Sequence, residues 1–122
     1  MHEFSIAANI VRKLIEVARE HDRKLLGATV AIGPMSTVVP ELLSDAWKYV
    51  IKDTELDGAA LHIDRVPIRA RCRECDAVTE GHDPFVKCQA CGSMNLQIES
   101  GFELKITSAE LADDTENATP TG

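Results

Sequence analysis

The chain has 122 residues, about one domain's worth, and is 44% hydrophobic but only 4% aromatic, so its core must be built from Leu, Ile, Val and Ala. A formal net charge of -7 argues against nucleic acid as a partner, because a phosphate backbone calls for a basic surface. No apolar run approaches the roughly 18 residues needed to span a bilayer, so no membrane is expected either.

Taken in order, Ile6, Ile10, Leu14 and Val17, flanked by Val11, Ile15 and Ala18, recur at helical spacing and predict an amphipathic helix over residues 3–21. Glu3 in its first turn suits the positive end of the helix dipole. Residues 26–32 are short, apolar and partly β-branched, end at Gly33-Pro34, and read as a strand facing inward through Ala28, Val30 and Ile32. Pro40 suits the first turn of a second helix, whose apolar stripe is Leu43, Ala46, Trp47, Val50 and Ile51. After the Asp57-Gly58 turn, residues 59–66 alternate as a second strand, with Ala59, Leu61 and Ile63 on one face and His62 and Asp64 on the other.

Pro67 ends that strand, and a cysteine ribbon follows with arms near residues 66–71 and 94–98. Gly101 lets the chain turn into a third strand over residues 102–106. The predicted fold is α+β: two helices on a three-stranded sheet with an inserted four-cysteine zinc-ribbon lobe. The expected division is residues 1–66 plus 99–111 as one discontinuous domain, 67–98 as the ribbon, and 112–122 as a disordered tail rich in Asp, Thr, Glu and Pro.

All four cysteines lie in Cys72-Arg-Glu-Cys75 and Cys88-Gln-Ala-Cys91, separated by twelve residues. Two such knuckles can close four thiolates tetrahedrally on one Zn(II). Two disulfides would need an oxidising compartment, and no signal-like segment precedes the chain's first helix. An iron centre is the other four-thiolate option, but the residues between the knuckles are largely polar or charged, which shields a redox centre poorly. A four-cysteine zinc site has no open position for water, so its expected role is structural. Arg65, Arg69, Arg71 and Arg73 lead into the first knuckle and read as an exposed strand face, with a docking patch as the alternative.

The amino terminus is the second candidate site. The α-amino group of Met1, the amide and imidazole of His2 and the amide of Glu3 can chelate one ion through nitrogen, a planar set that suits Ni(II) or Cu(II) better than Zn(II). Any chain beginning Met-His offers this, so the residues alone point to it weakly. His21 fits a helix C-terminus, His62 a wet strand face, and His82 is an outside candidate for a metal ligand. No nucleophile and base pair by motif and no phosphate loop is present, so no enzyme is expected.

The opening Met1-His-Glu-Phe-Ser-Ile-Ala, the spacing of Cys72, Cys75, Cys88 and Cys91, and the closing Gly101-Phe-Glu-Leu-Lys-Ile together resemble the HypA/HybF family of nickel metallochaperones for [NiFe]-hydrogenase maturation. The likeness covers residues 1 to about 111. It implies a nickel-binding domain and a zinc ribbon, with Ni(II) as cargo held by Met1, His2 and Glu3. It also implies transfer with a HypB-type GTPase toward a hydrogenase large-subunit precursor, with urease maturation proteins as further partners, a homodimer as an open option, and a cytoplasmic location. The alternative reading is a zinc-ribbon protein–protein adaptor without nickel transfer. Two departures from the family pattern stand out. Val39 falls where many relatives carry an acid, with Glu41 two positions on, which leaves an acidic contribution from Glu41 or Glu3 open. Gln89 follows Cys88 where relatives often carry proline.

Overall fold

The computed structural model describes residues 2–113. Its elements are α1 (His2–His21), β1 (Leu25–Ile32), α2 (Pro40–Val50), β2 (Ala60–Arg65), β3 (Ile68–Cys72), β4 (Val78–Gly81), β5 (Leu96–Ser100) and β6 (Leu104–Leu111), with a short 3-10 turn at Pro34–Ser36. They form two three-stranded sheets, ordered β2-β1-β6 and β4-β3-β5. The α+β class, the two helices and the four-cysteine cluster are those expected from the sequence. The chain divides into two compact units, one of residues up to 30, 39–63 and from 106 onward, the other of residues 31–38 and 64–105.

In the first unit α1 packs along α2. Helical periodicity brings Ala7, Ile10, Val11, Leu14 and Ala18 to one buried face of α1, and Leu43 and Trp47 to that of α2. Leu25, Ala28, Val30, Leu56 and Ala59 complete an aliphatic core. Trp47, the single tryptophan, donates its indole N–H to the Ala59 carbonyl at 3.0 Å, which satisfies its one polar group inside that core. β1 carries no charged residue and is the central strand of its sheet.

The second unit is an antiparallel ribbon centred on β3, with Arg71 opposite Val78 on β4 and Cys72 opposite Leu96 on β5. Ile68 and Ala70 of β3 and Thr79 of β4 are buried. Beside it, Gly33 donates to Glu103 O at 2.9 Å and Met35 to Gly101 O at 2.8 Å. The two backbones come so close that a Cβ on Gly33 would lie 2.1 Å from the Gly101 carbonyl oxygen. Gly101 itself has φ +123°, a conformation that excludes side chains.

Two elements differ from the sequence expectation. β4 is an additional strand, only four residues long and without an apolar period of its own. The last strand begins at Leu104 and runs to Leu111, where 102–106 was expected. Gly101, at φ +123°, keeps the segment before Leu104 out of extended conformation, and residues 107–111 continue the strand as an edge beside β1. Ala112, at the start of the expected tail, is buried and donates its N–H to Lys24 O at 2.8 Å, while residues 114–122 of that tail lie outside the described residues.

Candidate metal centre

Each Cys-x-x-Cys knuckle is built on the same backbone plan. In the first, Cys72 N–H donates to Ala77 O and Asp76 N–H to Cys72 O; in the second, Cys88 N–H donates to Ser93 O and Gly92 N–H to Cys88 O. The chain reverses at a left-handed residue directly after the second cysteine of each, Asp76 at φ 66° and Gly92 at φ 78°. These turns aim backbone N–H groups at sulfur: Glu74 and Cys75 donate to Cys72 Sγ at 3.4 Å, and Ala90 and Cys91 to Cys88 Sγ at 3.3 and 3.4 Å. β4 supports the second knuckle, because the buried Thr79 hydroxyl accepts from Gln89 N–H at 3.1 Å. Across the cluster the Ser93 hydroxyl donates to the Glu74 carboxylate.

The four Sγ atoms lie within 4.8 Å of one another. Cys72 and Cys91 are 3.7 Å apart and Cys75 and Cys88 3.5 Å, and all four thiols are free. A tetrahedral zinc with bonds of about 2.3 Å sets its sulfurs about 3.8 Å apart, which these two pairs match. The thiol acidities follow the geometry. The Cys91 N–H, helped by that of Ala90, holds Cys88 down to about 6, and the Cys75 N–H with that of Glu74 likewise lowers Cys72. Cys91 is pulled down by the Ser93 backbone but pushed up further, to about 12, by the sulfurs of Cys72 and Cys75. Cys75 is drawn down by the Ala77 backbone yet ends above its ordinary value through the sulfur of Cys88. One sulfur of each knuckle thus favours the thiolate, and a divalent cation would let all four ionise together.

No histidine joins this group among the described residues, and His82 is exposed on the segment after β4. His21 Nδ1 lies 3.0 Å from Val17 O, bonded to its own helix, and His62 is exposed on β2. Two arginines of the basic run are paired along the ribbon: Arg69 with Glu80 at 2.6 Å and Glu99 at 3.5 Å, and Arg71 with Glu99 at 3.1 Å and Asp76 at 3.6 Å.

At the other candidate site, Met1 lies outside the described residues and His2 opens α1. The Glu3 carboxylate accepts the Val39 N–H at 3.2 Å, which holds its pKa below the ordinary value, and Phe4 meets Tyr49 with ring centroids 5.6 Å apart. Glu41 is exposed in the first turn of α2. The Glu3 pairing escaped the sequence reading, since its partners lie 36 positions apart.

A family model described as hydrogenase/urease nickel incorporation, metallochaperone, HypA matches residues 1–111. The chain belongs to the HypA family. The hydrogenase maturation factor HypA of Geobacter sulfurreducens is 36% identical over 111 residues, covering 91% of this chain and 99% of that one. The HypA of Picosynechococcus sp. is 37% identical over 112 residues with the same coverage. In fold, the chain is similar to the solution structure of the Ni metallochaperone HypA from Helicobacter pylori, at a TM-score of 0.59 and 23% identity over 89% of this chain and 96% of that one. A second HypA solution structure gives a TM-score of 0.66 at 24% identity, covering 92% and 97%. As a HypA-family member the chain is a hydrogenase maturation factor of the nickel-incorporation class, a metallochaperone. Among the described residues no helix is long and apolar enough to cross a membrane.

Proposed function

We propose that this chain carries Ni(II) on its amino-terminal nitrogens and releases it during hydrogenase maturation. The donors are the α-amino group of Met1, the amide and imidazole of His2 and the amide of Glu3. The observation that carries this reading is that α1 begins at His2. The N–H groups of a helix's first turn have no acceptor four residues earlier, so the His2 and Glu3 amides can give up their protons to a metal without breaking a helical hydrogen bond. A few-ligand site at a chain end also loads and unloads more readily than a closed cage, as a carrier requires. The planar all-nitrogen set selects Ni(II) over Zn(II).

Cys72, Cys75, Cys88 and Cys91 would hold Zn(II), which closes the two knuckles into one lobe and leaves no position for chemistry. Reduced thiols and free cysteines accord with a cytoplasmic site of action. The receiving side would be a HypB-type GTPase and the hydrogenase large-subunit precursor, with urease maturation proteins as further recipients and a homodimer as the form that meets them. The test is His2→Ala. Ni(II) titration of that variant should show stoichiometric binding lost with the fold and zinc retained, whereas unchanged nickel affinity would refute the assignment and leave the adaptor reading.

A further inference from the structure

We propose that Glu3 acts as a positioning residue for the nickel site: its carboxylate, anchored on the Val39 N–H, holds the first turn of α1 in the shape the chelate needs, and does not itself bind the ion. This rests on the amino-terminal nickel reading above. Val39 is the N-cap of α2 and has no side-chain cap of its own, and Pro40 follows it without an N–H. The Glu3 carboxylate, reaching across from α1, accepts the N–H of this N-cap residue at 3.2 Å, the bond that the glutamate of a capping box makes.

The geometry explains why that matters for a metal held by consecutive backbone nitrogens. A five-membered chelate through N(i) and N(i+1) is flat when ψ is about 0°; helical ψ near -42° is close to this, whereas an extended chain near +135° points the two nitrogens apart. The consecutive His2 and Glu3 nitrogens, both in α1, are thus already near the arrangement the ion needs. Yet a first turn frays, because its own donors lack helical partners. Two ties to α2 resist this, the Glu3 carboxylate on Val39 and the tilted Phe4–Tyr49 ring pair. Only the first involves a residue whose own amide belongs to the donor set. The carboxylate already serves a backbone donor, which gives Glu3 a role other than an oxygen ligand.

The test compares Ni(II) affinity by calorimetry and the visible spectrum of bound Ni(II) across Glu3→Gln, Glu3→Ala and Val39→Pro, with Trp47 fluorescence and thermal melting to check the fold. Val39→Pro deletes the donor and leaves the amino-terminal residues intact. Glu3→Ala and Val39→Pro should each weaken nickel roughly tenfold with the planar-nitrogen spectrum kept, and the double variant should be no weaker than either, because both remove one hydrogen bond. Glu3→Gln, whose amide oxygen can still accept from Val39, should stay within about threefold of wild type. In the wild-type protein, nickel should slow hydrogen exchange at the Val39 amide, since coupling is reciprocal. That readout serves if Val39→Pro fails to fold. If Glu3→Gln is as weak as Glu3→Ala and changes the spectrum, Glu3 is a ligand and the proposal fails. It also fails if Val39→Pro binds as wild type or if nickel leaves Val39 exchange unaltered. Absence of nickel binding by the wild-type chain would instead overturn the carrier reading beneath it.

Discussion

Asp76 and Gly92 occupy equivalent places in the two cysteine knuckles, each left-handed (φ 66° and 78°), each donating its N–H to the carbonyl of the knuckle's first cysteine. Only one of the two positions carries the residue that adopts this conformation without strain. Gly92→Ala should therefore cost about 1 kcal/mol in stability through the added Cβ. Asp76→Gly should come out near neutral, relief of strain offsetting a more flexible unfolded chain. Thermal melts of the zinc-loaded protein distinguish the two, and equal losses would count against a shared knuckle geometry.

The same cluster sets a pH dependence. Cys88 sits at about 6 against an ordinary 9.0, chiefly through the Cys91 N–H. A folded value below the unfolded one contributes stability that is complete above the unfolded value and is lost as pH falls through the folded one. Protons also compete with metal for thiolates. The metal-free fold should thus lose this contribution as the pH is lowered from about 9 to about 6, and the loaded protein should release zinc only at lower pH, where protons outcompete the metal for the thiolates, followed with a chromogenic chelator. Retention of zinc at pH 4 would contradict four-thiolate ligation.

Cys75→Ser removes one of the four sulfurs. Metal-binding energy is folding energy in such a lobe, so zinc content should fall well below one per chain and the ribbon should lose its thermal transition while α1 and α2 keep their helical signal. A variant that retains its zinc and its melting temperature would show that the cluster does not hold the lobe.

The cysteine cluster was fully legible in the sequence because ligand spacing is local, and Pro40 with the Leu43–Trp47 stripe marked α2 for the same reason. What escaped depends on distant pairing. β4 has four residues and no period, and it exists because β3 offers an edge to it. Residues 107–111 are too polar to announce a strand and form one beside β1. The Gly33–Gly101 approach and the Glu3–Val39 bond link residues far apart in sequence, and neither leaves a motif. Asp76 was the exception that could have been found, since it follows Cys75 as Gly92 follows Cys91.

Trp47→Phe keeps an aromatic ring in the core but leaves the Ala59 carbonyl without its indole partner. The lost hydrogen bond and the space left by the larger ring should together cost about 2 kcal/mol, read by urea denaturation with circular dichroism. A loss below about 0.5 kcal/mol would mean that the carbonyl finds another donor.

Pairing along the ribbon predicts the opposite result for its arginines. Arg69 and Arg71 are half-exposed and paired with exposed carboxylates, so Arg71→Ala should cost less than about 1 kcal/mol. Salt-sensitive retention of the protein on DNA would contradict their neutralised role.

The most direct test is metal content and Ni(II) calorimetry on protein with its native amino terminus, beside a variant carrying one residue ahead of Met1. The extension moves the α-amino group away from the His2 chelate and leaves every side chain in place. One zinc per chain in both forms, with one nickel bound by the native form and much more weakly by the extended one, is the predicted result. Equal nickel affinity in the two forms, or zinc alone in both, would contradict a carrier built on the amino-terminal nitrogens.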